Sequence, residues 1–386
     1  MAKSTIANAP LELVRPPRVR GFWGTFANSA WPLVAGVLLA AVLHFVLPGR
    51  IGPFYSRIVI DMGIAMILAV SLNIVNGMTG QFSLGHAAIM ALGVYAAGIV
   101  SMYGSMLIWD SPARHGGFLG AGEWLFVAAC VIGGCVATAA GYVVGLPSLR
   151  LRGDYLAIVT LGFGEILRVI LQQTEPVIDS AADLRNATAG QLFPPPVGGA
   201  LGFNGIPKYT NLFWAYTFVT VMVVVAFRLK RSSLGRAMIA VREDEFAAQA
   251  MGVNVARIKV LAFMIAAFFA GIAGGLYAHE KGNIMSPDAA GFQNSFNYVL
   301  MTVLGGRGSI TGVMLAAIIL TALPEALRDF DQYRLIVYAL LLIGMMLVRP
   351  QGLFGIHEIW DWWPKRKSRG QATESGDSAA GGHPDA

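Results

Sequence analysis

The chain has 386 residues, of which 55% are hydrophobic and 13% are charged. A water-soluble domain usually carries about 25% charged residues, so a chain of this length and composition cannot cover its apolar surface in water. The composition therefore excludes an ordinary soluble globular fold and predicts an integral membrane protein. The 46 glycines agree with this interpretation, because glycine is more frequent in membrane helices than in soluble ones.

The formal net charge is +6, but the basic residues do not form a soluble basic module of the kind that binds nucleic acid. They occupy short segments between apolar runs, as the cytoplasmic loops of membrane proteins do. The two cysteines, Cys130 and Cys135, lie in one apolar run and give neither a disulfide framework nor a metal-ligand pattern, so we expect small core residues. The N-terminal stretch is polar, and we expect no cleavable signal peptide.

The apolar runs predict an all-α, polytopic membrane protein with eight to ten, most simply about ten, transmembrane helices. A helix needs about 20 mostly apolar residues to cross a bilayer. The runs of this kind are 31–47, 56–75, 82–103, 124–146, 154–173, 211–228, 260–279, 293–305, 309–327 and 333–348.

Lysine and arginine set the expected orientation, because cytoplasmic loops carry an excess of both. They gather at 3–20, 150–152, 228–259 and 349–369. With ten spans these segments all fall on one side, so both termini are predicted to be cytoplasmic. The resulting domains are an N-terminal arm (1–30), a transmembrane region (31–355) and a tail (356–386) that is disordered from about 370. The transmembrane region includes an external Pro-rich loop (174–210) and a cytoplasmic loop (229–259).

The cytoplasmic loop contains a predicted short helix from Asp244 to Met251, which begins with acidic residues that suit the helix dipole and ends before Gly252. The small side chains of Ala247 and Ala248 would let another protein pack closely against it. Such a helix could carry a movement from an outside motor into the membrane, or it could be a solvated helix that merely connects two spans.

Polar residues interrupt the apolar sequence between 73 and 86. They include Asn76, Gln81, Ser83 and His86. Polar groups at membrane depth are tolerated where the backbone is buried in protein or lines a watery cavity, so this segment could line a transport path. It could equally be a tight turn in which Ser83 or Gln81 caps the next helix, with His86 in a structural role.

Three ionisable residues lie inside apolar runs. Glu165 and Arg168 are three apart on one predicted helix, a spacing that allows an intrahelical ion pair. That pair could simply orient the helix, or Glu165 could contribute a polar wall to a transport path. Asp61, in the second run, allows the same two interpretations.

Nothing in the sequence resembles catalytic chemistry. There is no Gly-x-x-x-x-Gly-Lys-Ser/Thr phosphate loop and no His/Cys/carboxylate cluster with metal spacing. We therefore expect neither an enzyme nor a bound cofactor or metal, and if ATP drives this protein, a separate subunit must bind it.

Several segments resemble a known family. The run Ala-Ala-Gln-Ala-Met-Gly at 247–252 resembles the Ala-Ala-x-x-x-Gly core of the ATPase-docking loop of bacterial ABC importer permeases. More specifically, LGRAMIAVREDEFAAQAMGV looks like the loop of the branched-chain amino acid permease family, in its longer LivM-type permease. Blocks 71–100, 146–171, 274–312 and 347–355 match the family in order. The chain departs from the family at Phe246, where a Glu is usual, and in the outer loop 180–207.

The resemblance implies a permease subunit of an ABC importer in the bacterial inner membrane, moving small amino acids by alternating access. Its partners would be a homologous second permease, two ATPases that bind the ATP, and a periplasmic binding protein. The residues implied in coupling to the ATPases are Arg242, Glu243, Asp244, Glu245, Ala247, Ala248 and Gly252. The candidate transport path comprises Asn76, Gln81, Ser83, His86 and Glu165.

Two other functions remain open. Urea and short-chain amide permeases share part of the resemblance. An ion-coupled secondary transporter, with Asp61, Glu165 or His86 as the coupling group, belongs to a different class and would need no ATPase. A membrane-embedded enzyme is disfavoured, since no nucleophile and base are paired in the sequence.

Overall fold

A computed structural model describes residues 22–147, 154–178, 180–186, 195–282, 285–328, 333–349, 351–355 and 358–359. The predicted N-terminal arm up to residue 21 and the predicted tail, apart from residues 358–359, lie outside these residues. Within them the secondary structure is helical, and strand pairing is limited to one isolated antiparallel bridge between Phe203 and Met285.

Thirteen α-helices follow one another in the described part of the chain. They are α1 (Phe22–Val46), α2 (Pro48–Asn73), α3 (His86–Trp109), α4 (Ala121–Gly145), α5 (Asp154–Gln172), α6 (Ala181–Asn186), α7 (Leu212–Arg231), α8 (Ser233–Glu243), α9 (Glu245–Ala250), α10 (Val255–Lys281), α11 (Phe292–Gly305), α12 (Ile310–Ala326) and α13 (Arg334–Val348). A π-helical turn (Ile74–Met78) extends α2, and 3-10 turns lie at Gly199–Leu201 and Pro287–Ala290.

Each apolar run predicted from the sequence coincides with a helix, which confirms the all-α membrane fold. Six helices of the described residues are long and apolar enough to cross a membrane: α2 with its π-helical extension, α3, α4, α5 from Tyr155, α7 and α10. The apolar parts of α1 and α12 are shorter. The number of spans, expected to be about ten, stays a prediction. Helix α1 begins at Phe22, inside the segment that we expected to be a polar arm.

Helices α3, α4 and α10 form the tightest part of the core. A Cβ atom added at Gly93 of α3 would lie 2.4 Å from Cα of Gly271 in α10, and one at Gly271 would lie 2.6 Å from the carbonyl oxygen of Gly133 in α4. Backbones that approach this closely tolerate no side chain between them, which is the usual way in which membrane helices pack without a hydrophobic driving force. Helix α2 packs on α10, and α7 and α12 pack on α2.

The outer helices present large apolar side chains to their surroundings. Val143, Ile158 and Leu340 are 59%, 64% and 70% exposed. Such surfaces are stable where lipid is the solvent. Cys130 is fully buried, as expected of a core residue, but Cys135 is exposed, because it lies on the outer face of α4. The prediction that both cysteines are core residues is therefore wrong for Cys135.

Candidate functional site

The predicted docking helix exists as α9, and side chains of the sequence define both of its ends. Asp244 separates α8 from α9 in an extended conformation, and its Oδ1 accepts hydrogen bonds from the backbone N–H groups of Phe246 (2.8 Å) and Ala247 (3.0 Å). This is a helix N-cap, in which a carboxylate satisfies donors that the first turn leaves unpaired. The acidic start predicted from the sequence is therefore a capping interaction.

Gly252 ends the helix in a left-handed conformation, with a φ of 84°. The N–H of Gly252 donates to the carbonyl of Gln249, and the N–H of Val253 donates to the carbonyl of Ala248, both at 3.0 Å. Glycine adopts a positive φ without steric penalty, so it allows the chain to reverse here. A Cβ at Gly252 would meet nothing within 4 Å, which means that the position faces open space.

The surface of α9 carries exposed apolar side chains beside a cleft. Phe246 is 66% exposed and Met251 is 85% exposed. The cleft has a volume of about 400 Å³ and lies between α9 and the start of α10. Ala248, which we expected on the docking surface together with Ala247, is instead buried at 5% exposure, so it packs against its own chain.

Two charged contacts tie this surface to the membrane helices. Glu245 of α9 forms an ion pair with Lys259 of α10, whose side chain is only 5% exposed. The Nη1 group of Arg242 at the end of α8 donates to the carbonyl oxygen of Gly77 in the π-helical turn (2.9 Å), while its Nε and Nη2 groups donate to Glu243. Sequence reasoning counted Lys259 only among the basic residues of the cytoplasmic loop, because its pairing with Glu245 depends on how α9 packs against α10.

The four predicted path residues of the polar segment lie between the π-helical turn, which contains Asn76, and the first residue of α3, which is His86, and all four are buried. Asn76 accepts from the backbone N–H of Ser83 through Oδ1 (3.3 Å), and Gln81 donates to Thr79 (2.8 Å). His86 is hydrogen-bonded to the Ser71 hydroxyl (2.9 Å). Among the described residues, Nδ2 of Asn76 and Oε1 of Gln81 are buried without a hydrogen-bond partner.

Helix α3 is not capped by Ser83 or Gln81, and that prediction is wrong. The N-cap position is Gly85, and the N–H of Ala87 donates to the hydroxyl of Ser295 in α11 (3.0 Å). Ser295 lies more than two hundred residues further along the chain, so local sequence spacing could not have identified it. The start of α3 is therefore held by tertiary packing.

The turn between α11 and α12 closes over the same connection. The N–H of Gly308 donates to Oδ1 of Asn73 (2.9 Å), and Nδ2 of Asn73 donates to the carbonyl of Ser309 (3.3 Å). Gly306 and Gly308 have φ values of 103° and 93°, which the turn requires. Through these contacts with Asn73, the turn fixes the end of α2.

Glu358, beyond the last helix, anchors to this turn at the start of α12. Its carboxylate accepts from the N–H groups of Ile310 and Thr311 (both 3.1 Å), from the Thr311 hydroxyl (2.7 Å) and from the Lys230 ammonium. Burial works against the charged carboxylate, but the hydrogen bonds from Lys230, Thr311 and Ile310 outweigh it and lower the pKa of Glu358 from its ordinary value.

Glu165 forms the predicted intrahelical ion pair with Arg168, at 2.8 Å, and its side chain is 38% exposed. Arg168 also reaches Asp288 of the turn before α11 (3.3 Å). Glu165 therefore lies apart from Asn76, Gln81, Ser83 and His86, and its carboxylate accepts hydrogen bonds from Arg168 and from the backbone N–H of Phe292 instead. Within the described part of the chain, no group of three or more His, Cys, Asp or Glu side chains could hold a metal ion.

Asp61 has a partner that the sequence did not suggest. Its two carboxylate oxygens lie 3.2 and 3.1 Å from the ammonium of Lys281, at the C-terminal end of α10. Lys281 also pairs with Glu280 (2.9 Å), which in turn contacts Arg57 (3.4 Å). Four charges of zero net sum thus gather at the end of α10 that is remote from α9.

Comparison with known proteins identifies relatives of the whole helical region. Residues 54–348 match the family described as branched-chain amino acid transport system / permease component. The chain is 35% identical over 341 residues to the high-affinity branched-chain amino acid transport system permease protein LivM of Escherichia coli, covering 83% of this chain and 74% of the relative. It is 36% identical over 306 residues to LivM of Salmonella typhimurium, covering 75% and 67%. It is also 28% identical over 300 residues to the permease protein LivH of Escherichia coli, covering 76% and 92%.

Proposed function

The chain belongs to the branched-chain amino acid transport permease family, and from that premise we propose that it is a membrane-spanning subunit of an ATP-driven importer of branched-chain amino acids. LivM and LivH are both named as permease proteins of such a transport system, which supports pairing with a second, homologous permease. Two ATPases would bind the ATP, and a binding protein would deliver the amino acid from outside. This chain would then need no cofactor and would catalyse no reaction of its own.

The observation that carries the proposal is the geometry of α9. It is a short helix, capped by Asp244 and ended by Gly252, that offers exposed Phe246 and Met251 beside a cleft. Exposed apolar groups with a polar rim are typical of surfaces that bind another protein. The segment also holds the Ala-Ala-x-x-x-Gly pattern of ATPase-docking loops at 247–252.

Movement of α9 and of the adjoining α8 has two routes into the membrane helices. The Glu245–Lys259 ion pair leads into α10, and the Arg242–Gly77 hydrogen bond leads into the π-helical end of α2. Local π-helical turns often mark functional positions in helices. When the bound ATPases move α9, these contacts would displace α2 and α10. That displacement would switch the permease between its outward-open and inward-open conformations.

The predicted path residues Asn76, Gln81, Ser83, His86 and Glu165 remain a proposal. The first four are buried in this conformation. They could meet the substrate only in a second conformation, in which the connection between α2 and α3 has opened. The buried amide groups of Asn76 and Gln81 that lack partners would then find them in water or substrate.

The proposed topology places α9 and both chain termini in the cytoplasm of a bacterial inner membrane. In this arrangement 229–259 forms the ATPase-docking loop, and 174–210 forms an external loop that meets the binding protein. Arginine and lysine at the end of α7 support it, since basic residues favour the cytoplasmic side.

A co-purification experiment tests the docking surface. Met251→Glu places a charge on the exposed α9 surface, and we expect at least a tenfold loss of co-purifying ATPase, because a desolvated charge opposes an apolar interface by several kcal/mol. Leu201→Glu is the matched control, since Leu201 is 87% exposed and lies in the loop proposed to be external. Equal ATPase recovery with both variants would contradict the docking assignment.

A further inference from the structure

A cavity of about 490 Å³ opens at the opposite end of α10 from the α9 cleft. Helices α2, α10, α11 and α12 form its walls. Helix α10 has 27 residues, and at 1.5 Å per residue it separates the two sites by about 40 Å, the thickness of a membrane. The volume lies within the roughly 300–1,000 Å³ range of small-molecule sites.

One end of the cavity carries one charge of each sign. Asp61 and Lys281 line it, and their side chains are 30% and 34% exposed, so both reach its interior. Glu280 pairs with both Lys281 and Arg57, so the cluster of four charges is neutral. The amide side chains of Gln293, Asn294 and Asn297 lie on the α11 wall.

The other end of the cavity is apolar. Ile64 and Leu68 of α2, Met301 of α11 and Leu320 of α12 line it, and each is at most 7% exposed. A ligand that fills both ends therefore needs a charged or strongly polar head and an apolar body. The arrangement matches a molecule in which these two parts are joined over a short distance.

We infer that this cavity receives a zwitterionic α-amino acid with an apolar side chain, an inference that rests on the proposed transport function. The ligand carboxylate would pair with Lys281, its ammonium would pair with Asp61, and its side chain would contact Leu68, Met301 and Leu320.

Charge balance selects the zwitterion. Asp61 and Lys281 pair with each other at 3.1 Å, and a zwitterion would replace that contact with two new ones of the same kind. A simple carboxylate or a simple amine would pair with one partner only and would add an unbalanced charge to a cluster whose four charges sum to zero, which is unfavourable in a partly buried site. The cavity therefore favours an amino acid, which carries both charges, over a molecule that carries only the carboxylate or only the ammonium group.

The alternative is an ion pair that only holds α2 against α10. The two roles differ in what a double neutral variant does. If Asp61 and Lys281 act only on each other, Asp61→Asn combined with Lys281→Gln removes both charges together and leaves transport at the wild-type level. If they bind the ligand, the double variant still assembles with its partners but stays deficient in uptake.

The experiment is L-leucine uptake into proteoliposomes that contain the complete transporter, with the binding protein added. We expect uptake by the double variant to fall about tenfold or more, the loss expected for charge-assisted hydrogen bonds to the ligand. Glu325→Gln with Arg328→Gln is the matched control, because that ion pair (3.3 Å) is on α12 and its extension but does not line the cavity. Wild-type uptake by the Asp61/Lys281 double variant would overturn the inference.

A labelling experiment on the full chain distinguishes a wrong assignment of the binding cavity from a wrong assignment of the transport function. Asn297→Cys, in a Cys135→Ser background, places a thiol on the cavity wall, while the native Cys130 is buried. We expect L-leucine to slow maleimide labelling at least threefold, whereas equal concentrations of 4-methylpentanoate or 3-methylbutylamine do not. Equal labelling rates with and without L-leucine would overturn the inference even if wild-type transport is normal, and protection without transport would instead contradict the proposed function.

Discussion

The guanidinium of Arg242 donates a hydrogen bond of 2.9 Å to the carbonyl oxygen of Gly77, and so joins the end of α8 to the π-helical end of α2. The Arg242 side chain is only 19% exposed. It also packs against Gly80, where an added Cβ would lie 2.9 Å from Cγ of Arg242. This contact is the most direct link between the proposed docking segment and the buried connection that holds Asn76, Gln81 and Ser83.

Replacing Arg242 with alanine should uncouple the transporter. The change removes a charge-assisted hydrogen bond worth about 1.5–3 kcal/mol and the packing on Gly80. We expect the ratio of L-leucine transported to ATP hydrolysed to fall about tenfold in proteoliposomes. Arg236→Ala is the control, because Arg236 lies on the exposed face of the same helix and its guanidinium donates to the carbonyl of Arg231 rather than to α2. An unchanged ratio in Arg242→Ala would remove this link from the mechanism.

Substitutions at Gly252 separate backbone strain from surface blocking. An alanine there adopts a positive φ at about 1–2 kcal/mol but touches nothing, since the position faces open space. A tryptophan carries the same strain and also projects into the proposed interface. We therefore expect Gly252→Trp to abolish ATP-driven uptake and Gly252→Ala to reduce it only modestly. Normal uptake by Gly252→Trp would contradict the docking assignment.

The glycine contacts of the core predict a large difference in thermal stability between two Gly→Ala variants. At Gly271 the new methyl group would lie 2.6 Å from backbone and side-chain atoms of α4, and such overpacking costs about 1–3 kcal/mol. At Gly162 of α5 a Cβ meets nothing within 4 Å, so alanine should be neutral or stabilise the helix by up to about 1 kcal/mol. Thermal unfolding in detergent measures both variants, and equal unfolding temperatures would contradict the packing.

We expect Glu358 to make a pH-dependent contribution to the free energy of unfolding. Its folded-state pKa is lowered from 4.5, so the contribution is fully present above pH 4.5 and is lost as the pH falls through the lowered folded pKa. We expect Glu358→Gln to lower the unfolding temperature at pH 7 and to differ less from wild type in acid. Glu325→Gln is the control, because its ion pair with Arg328 is more exposed and worth about 0–1 kcal/mol. A Glu358→Gln difference that does not shrink in acid would contradict the anchoring role.

Helix positions were predictable from the sequence because they depend on local properties. The apolar runs lie where α1–α5, α7 and α10–α13 occur, and Asp244 and Gly252 mark the ends of α9 through backbone chemistry that acts within a few residues. The Glu165–Arg168 pair is likewise local, since it joins residues one turn apart.

Contacts between distant segments could not be predicted. Asp61 and Lys281 are 220 residues apart, and Asn73 and Gly308 are 235 apart, so each pair depends on how the helices pack. The same reason explains why the hydroxyl of Ser295, and not that of Ser83, accepts a hydrogen bond from the first turn of α3. Ala248 shows a related limit, because a short amphipathic helix does not reveal from its sequence which of two neighbouring alanines faces inward.

A measurement of which energy source drives L-leucine uptake tests the central claim most directly. The wild-type chain, reconstituted with its second permease, its ATPases and its binding protein, should take up L-leucine only when ATP is present at the ATPase side. That uptake should continue after proton and sodium gradients are collapsed. Uptake that proceeds without ATP and stops when either gradient is collapsed would contradict the account and would identify an ion-coupled transporter.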